Sequence, residues 1–245
     1  MLSDRLRAAA VHLLLSAIVA VLVLLLVFQV WYPGPMSKAV GVTQIFLIIV
    51  LVDVMIGPFL TGVVYKKGKK SLKFDLTVIV ALQIGALLYG LATVFEGRPA
   101  WVVFNVDRFD LVRVLDLDER NKETIPQEYR NPPITGPRWV AAMQPDDEEA
   151  RQTILFEAVY AGLDLPQRPH LYQPLANAED AIRKQAKELA ELNEFNKPEA
   201  VSRVLKRWPE ADAWLPMRAN ARSMVVLIHR ETAQVVAVVD LAPWS

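Results

Sequence analysis

Residues 11–31 read VHLLLSAIVAVLVLLLVFQVW, a run of about twenty residues without a formal charge. A helix needs roughly 20 apolar residues to cross a bilayer core about 30 Å thick. Two further apolar runs lie at about 42–64 and 76–95. The first run is longer than the apolar part of a signal peptide and lacks a small-residue cleavage site, so we expect it to be retained. The sequence therefore predicts a membrane protein with three transmembrane α-helices within residues 1–96.

Positive charges indicate the orientation of these three spans. Seven of the eight Lys and Arg residues before residue 97 lie ahead of the first span or in the connector 66–73, and only Lys38 lies between the first two spans. The positive-inside tendency assigns the basic side to the cytoplasm. We therefore expect a bacterial inner-membrane protein whose N-terminus is cytoplasmic and whose C-terminal domain, residues 97–245, is periplasmic.

The C-terminal residues have the pattern of an extracytoplasmic α+β domain. Apolar stretches predict strands at 101–106, 111–114 and 138–143, and a hairpin formed by 224–229 and 234–241. Helix signals follow Pro145, Asn177 and Pro198. The first of these helices carries an apolar stripe and is expected to stop near Gly162, and the second is expected to continue to Leu192. The stripe comprises Ile154, Leu155, Ala158 and Val159.

Catalytic and metal-binding patterns are missing from the sequence. It has no cysteine and only three histidines, and it contains no zinc-protease, nucleophile-elbow, P-loop or Rossmann motif. Residues 97–245 hold nineteen Lys and Arg against twenty-three Asp and Glu, without the basic excess of a nucleic-acid-binding domain. We therefore predict that the protein is not an enzyme, takes no cofactor or metal, and binds neither nucleic acid nor a small-molecule substrate.

The spans contain a polar pair that invites two interpretations. Asp53 and Gln83 lie near the midpoints of the second and third spans, where an ionised carboxylate facing lipid costs roughly 2.5–3.5 kcal/mol. Gly57 and Pro58 follow Asp53, and proline removes a helix hydrogen bond, so a kink is expected. Either Asp53 bonds Gln83 and holds the three helices together, or the polar, kinked region receives the transmembrane helix of another protein. Small residues on the third span, including Gly85 and Gly90, allow close helix approach.

The sequence also resembles a known family, the TfpX/TfpZ type IV pilin accessory proteins. The resemblance covers nearly the whole chain in the same order; its motifs include Trp31-Tyr32-Pro33, Val52-Asp53-Val54, Ile56-Gly57-Pro58-Phe59-Leu60-Thr61, Gln83 through Tyr89-Gly90, Arg98-Pro99, Phe104-x-Val106-Asp107-Arg108-Phe109, Thr135-Gly136-Pro137-Arg138, Gln167-Arg168-Pro169 and Leu241-Ala242-Pro243-Trp244. The hairpin turn Glu231-Thr232-Ala233-Gln234 departs from it, since a glycine is expected there.

This resemblance implies a non-enzymatic helper or chaperone for a cognate type IV pilin, aiding its stability, folding or assembly. The expected partners are the lipid bilayer and the pilin, both its transmembrane helix and its globular head. The membrane groove would be formed by Asp53, Gly57, Pro58, Gln83, Gly85 and Gly90, and the C-terminal hairpin edge could hold the head by strand addition. The alternative is a membrane-anchored sensor or ligand-binding protein with a periplasmic domain.

Overall fold

The first part of the chain is helical. The computed structural model describes residues 2–245, apart from the side chain of Ile45. Helix α1 covers Leu2–Leu25 and continues as a wider π-helical turn over Leu26–Trp31; the short α2 (Met36–Val40), α3 (Val42–Val64) and α4 (Leu72–Glu96) follow. Within the described residues, α1 with its π-helical turn, α3 and α4 are each long and apolar enough to cross a membrane. α1 and α4 begin earlier than the apolar runs at 11–31 and 76–95, because their polar first turns are also helical.

The chain divides into two compact units that do not follow the chain order. One consists of residues 2–31 and 41–96, and the other of Tyr32–Val40 together with Gly97–Ser245. In the first unit α3 packs against both α1 and α4, which make little contact with each other within the described residues. α3 is helical through Pro58, at the point where the sequence predicted a kink.

The segment between the first two long helices is part of the second unit. Met36 and Ala39 of α2 are buried in the main core of that unit. The carbonyl of Ala39 accepts backbone hydrogen bonds from Ala221, at 2.9 Å, and Arg222, at 3.2 Å. Sequence analysis had placed these residues in a connector of the 1–96 region; the structure uses them as an element of the other unit.

The second unit is built on one mixed sheet of eight strands. The strands are β1 (Pro99–Asn105), β2 (Arg108–Arg113), β3 (Arg138–Ala142), β4 (Tyr172–Pro174), β5 (Lys187–Glu188), β6 (Ala213–Arg218), β7 (Met224–His229) and β8 (Gln234–Val239). Their order is β4-β3-β1-β2-β6-β7-β8, and β5 pairs with β6. β1 is parallel to β3 and β2 is parallel to β6, whereas the other pairs are antiparallel.

Both faces of the central strands are buried. On β1, Val102 and Phe104 join the main core, whereas Trp101 and Val103 pack on the opposite face with Tyr129. β7 divides in the same way between the main core and a third cluster around Trp214. Strands covered on both sides read as continuous apolar runs. The observed unit is the α+β arrangement that the sequence predicted.

Three helices belong to the second unit beside α2, and one of them differs from its prediction. α5 covers Glu148–Ala161, α6 Glu179–Gln185 and α7 Pro198–Leu205. The prediction that the second helix runs to Leu192 was wrong: the chain becomes extended at Ala186, pairs β5 with β6, and forms a 3₁₀ turn over Leu189–Glu194. Pairing with β6, which sequence reasoning had missed, outweighs the helical periodicity.

Candidate functional site: a polar groove between the long helices

A groove runs along the first unit between α1 and α4, with α3 as its floor. It consists of two adjoining cavities of about 470 and 220 Å³ that share His12, Leu15 and Val80. One end of the groove includes Asp4 and Arg7, and the other reaches Leu87. The groove exists because α1 and α4 each pack on α3 and leave a gap between themselves.

Asp53 and Gln83 meet in this groove. Nε2 of Gln83 donates to the backbone carbonyl of Asp53 at 2.9 Å, and its distance to Oδ1 of the Asp53 carboxylate is 3.4 Å. The amide is therefore bound mainly by the main chain of α3, and its contact with the carboxylate is long. The hydrogen bond between Gln83 and Asp53 that the first interpretation predicted is therefore present. The Asp53 carboxylate can still accept hydrogen bonds from another donor.

Gly57 makes that contact possible. A Cβ at this position would lie 2.0 Å from Nε2 of Gln83, so only glycine lets the amide reach the α3 backbone in this way. Gly57 is buried, as is Pro58 next to it. The glycine thus serves close helix approach, a role that the sequence assigned to the small residues of the third span.

The two glycines of α4 have different surroundings. Gly90 is buried against Ile49 of α3, where an added Cβ would lie 3.0 Å from Cγ2 of the isoleucine. Gly85 is exposed, and nothing lies within 4 Å of its Cβ position. The structure therefore brings together Asp53, Gly57 and Gln83, places Gly90 in the α3–α4 contact, and leaves Gly85 outside the groove lining.

Three polar residues of the groove were missed by the sequence reasoning. Nδ1 of His12 and Oγ1 of Thr61 are hydrogen-bonded at 2.6 Å, and Ser16 is buried one helical turn beyond His12. The spacing of His12 and Ser16 puts both on one face of α1. That spacing of two polar residues in an apolar run is the signal that could have identified this side of the groove.

The second unit has a free sheet edge. β8 is the last strand in the sheet order and pairs only with β7 among the described residues. A cavity of about 520 Å³ lies along it, with Trp139 and Leu175 on the opposite side. The preceding turn holds Ala233 at φ 55°, the left-handed conformation for which glycine was expected. Within residues 2–245 no group of three His, Asp or Glu side chains is placed to hold a metal ion.

The structure thus defines a chain with three helices long and apolar enough to cross a membrane and an α+β unit attached to them. The family model described as "Fimbrial assembly protein FimB" matches residues 1–41. The fimbrial assembly protein of serogroup I from Dichelobacter nodosus is 34% identical over 190 residues, which cover 76% of this chain and 72% of that protein. The chain belongs to the fimbrial assembly protein family.

Two further relatives come from the same organism. The serogroup E1 protein is 33% identical over 190 residues, again covering 76% of this chain and 72% of the relative. The protein of serogroups C1 and C2 is 34% identical over 123 residues, which cover 49% of this chain and 92% of the relative. No solved structure matches the chain significantly.

Proposed function

We propose that this chain is a non-enzymatic inner-membrane accessory protein that holds a type IV pilin before the pilin enters a pilus. Two findings support the proposal: membership of the fimbrial assembly protein family and three helices apolar enough to span a bilayer. The resemblance to the TfpX/TfpZ pilin accessory proteins implies the same function. A pilin waiting in the membrane needs cover for its transmembrane helix and for its periplasmic head.

The groove between α1 and α4 carries the proposal. Apolar side chains, including Leu15, Val80 and Leu87, contribute to its lining, as an entering transmembrane helix requires. Asp53 is one of its polar contacts, beside His12, Ser16 and Gln83. A carboxylate at that depth is expensive unless it finds a partner. Gln83 satisfies it only in part, because the amide is bound chiefly to the main-chain carbonyl. A hydrogen-bond donor on the incoming helix would satisfy the remaining acceptors of the Asp53 carboxylate.

The orientation in the proposal puts the second unit in the periplasm. The basic residues of the first unit are concentrated ahead of α1 and between α3 and α4, the side that the positive-inside tendency assigns to the cytoplasm. Residues 32–40 leave from the opposite ends of the spans and belong to the second unit. An arrangement in which this segment and the C-terminal residues share one compartment agrees with three crossings.

Co-purification of the cognate pilin with variants of the full chain tests the groove. Asp53→Asn keeps the shape and removes the charge, whereas Asp53→Leu removes both hydrogen-bonding oxygens. We expect reduced recovery of pilin with both variants, more so with leucine. Asp75→Asn is the matched control, since Asp75 lies in the first turn of α4, paired with Lys69, outside the groove lining. Undiminished recovery with both Asp53 variants would overturn the groove as the pilin site.

The free edge of β8 is the candidate contact for an extended segment of the pilin head. An edge strand presents unpaired backbone donors and acceptors to an added strand. Val235 and Val236 of β8 line the adjoining cavity, so an added strand would also find apolar contacts. Photocrosslinkers at Val236 and Ala237 are expected to capture pilin, with Ile134, which is exposed in the loop before β3, as the control position. Failure of every position on β8 to capture pilin counts against this edge.

A further inference from the structure

The helix α5 turns its apolar side chains away from its own unit. Leu155, Phe156, Val159 and Tyr160 are 63–75% exposed, and no residue of the helix is buried. The rings of Phe156 and Tyr160 stack with centroids 4.3 Å apart, so the surface is continuous. The predicted apolar stripe is present, and two of its residues, Leu155 and Val159, are exposed. Contiguous exposed apolar patches on soluble units commonly mark interaction sites.

Ion pairs fix α5 in this orientation. Glu157, on the inward side of the helix, accepts bidentate hydrogen bonds from Arg120 at 2.7 and 2.9 Å and one from Arg168 at 2.5 Å. At its ends the helix is capped by the carboxylate of Asp147 and by Gly162, whose φ is 68°. Because charged groups, and not apolar packing, attach the helix, the apolar residues remain available on the outside.

A strained turn extends this surface. Val106, between β1 and β2, has φ 60°, and the amide of Asp107 donates to the carbonyl of Asn105 at 2.7 Å around it. A β-branched residue at positive φ is a genuine outlier, and such strain clusters at functional sites. The Val106 side chain is 55% exposed. A cavity of about 350 Å³ between this turn and α5 is lined by both Val106 and Leu155.

The charges around this surface define the partner. Exposed acidic side chains follow its border, in the turn and at the start of α5: Asp107, Asp146, Asp147, Glu148 and Glu149. Two cations also line the cavity: Arg108 is paired with Asp107 and Asp110, and Arg151 donates to the backbone carbonyl of Pro145 at 3.3 Å, so the acids outnumber them. A basic border on the partner therefore complements this surface, and an anionic lipid surface is repelled. A second copy bound through the same surface is also disfavoured, because the two acidic borders would repel each other.

We propose that Val106 and the outer face of α5 form a docking surface for the globular head of the pilin, through a head patch that is apolar in the centre and bordered by Lys or Arg. The inference rests on the proposed function and names a second contact surface for it. Association would bury the apolar side chains that α5 leaves exposed, and it would pair the acids of its first turn.

Substitutions on α5 in the full chain test the surface by pilin co-purification. We expect the double variant Phe156→Ser with Val159→Ser to lower pilin recovery about tenfold, the range for central apolar anchors. Ile134→Ser with Leu115→Ser is the matched control, because these residues are 62% and 56% exposed elsewhere on the unit. Val106→Gly should also lower recovery while the unit becomes more stable, since glycine relieves the positive φ.

A charge reversal and a photocrosslinking experiment distinguish the possible partners of this surface. Glu148→Lys with Glu149→Lys is expected to lower recovery, and a photocrosslinker at position 156 is expected to yield an adduct with pilin. An adduct with a second copy of the chain alone, or with lipid alone, overturns the inference. The inference is also overturned if the α5 double variant recovers as much pilin as the unaltered chain while Asp53→Leu still reduces the recovery. In that case the proposed function stands. If the unaltered chain never recovers pilin, the proposed function itself fails.

Discussion

Glu157 of α5 and Arg168 of the loop before β4 are joined by a hydrogen bond of 2.5 Å between Oε2 and Nη2. The guanidinium of Arg168 is almost fully buried, and Glu157 is also bound by Arg120. Hydrogen bonds from Arg120 and Arg168 lower the pKa of the Glu157 carboxyl from its ordinary 4.5 to about 2. This carboxylate is the main link between α5 and the rest of the second unit.

Acid should therefore loosen α5. A carboxyl whose pKa is lower in the folded state stabilises that state fully above pH 4.5, and this contribution is lost as the pH falls towards about 2. Hydrogen exchange of α5 amides should show protection that decreases across this window. Glu157→Gln should lose about 1–3 kcal/mol of local stability at neutral pH, because Arg168 loses a charged partner, and should remove the pH dependence.

Glu149→Gln is the matched control for this measurement, since Glu149 is exposed on the same helix. It should keep both the protection and its pH dependence. Equal protection of α5 in the Glu157→Gln variant and the unaltered chain at pH 7 would show that other contacts attach the helix.

Substitution of Gly57 and of Gly85 by alanine should give opposite results. In Gly57→Ala the added Cβ would lie 2.0 Å from Nε2 of Gln83, so the amide has to move away. The displaced amide would lose its hydrogen bond to the backbone carbonyl of Asp53. We expect a loss of about 0.5–1.5 kcal/mol, the value of one such bond. Gly85→Ala meets no atom within 4 Å and should be neutral or stabilise α4, because alanine favours helix.

Thermal unfolding in detergent measures the stability of both alanine variants. A double-mutant cycle with Gln83→Ala isolates the contribution of the hydrogen bond between Gln83 and Asp53. Gly57→Ala should cost little once Gln83 is already shortened, since the hydrogen bond is then missing in both chains. A cost that persists at full size in the Gln83→Ala background would place the strain elsewhere in α3.

Met36→Ala should destabilise the second unit although Met36 lies between the first two long helices. Its side chain is 5% exposed within the main core, and removal of a buried methionine side chain costs about 2–5 kcal/mol. Met143→Ala is the control, because Met143 is 54% exposed. Chemical unfolding followed by tryptophan fluorescence reports this unit, which contains five of the six tryptophans. Equal midpoints for the two variants would show that residues 32–40 do not contribute to the core.

The order of elements could be read from the sequence, because long uncharged runs and alternating apolar stretches are local signals. Three long apolar helices followed by an α+β unit were predicted, and the structure has this order. β6 was missed because its Ala-Trp-Leu-Pro-Met-Arg sequence lacks alternation and contains a proline, which the pairing with β7 nevertheless accommodates. The assignment of residues 32–40 to the second unit depends on contacts with residues 221 and 222, and no local pattern reveals these contacts.

The candidate site was visible in part. Asp53 and Gln83 stand out as polar residues at equal depth, and the structure joins them. Gly57 was placed in the site for a kink, whereas its structural role is to admit the Gln83 amide. His12 and Thr61 were not recognised, since their contact joins residues 49 positions apart. The role of these residues in binding a pilin stays a prediction.

The burial of Met36 and Ala39 in the second unit also bears on how the chain matures. During synthesis residues 32–40 are made long before the strands that cover them, so they must wait, uncovered, until the ribosome has finished both later helices and the sheet. Only a chain that delivers its early segment and its late strands to the same compartment can close this core. A chain in which the two stayed apart would leave Met36 and Ala39 exposed to solvent.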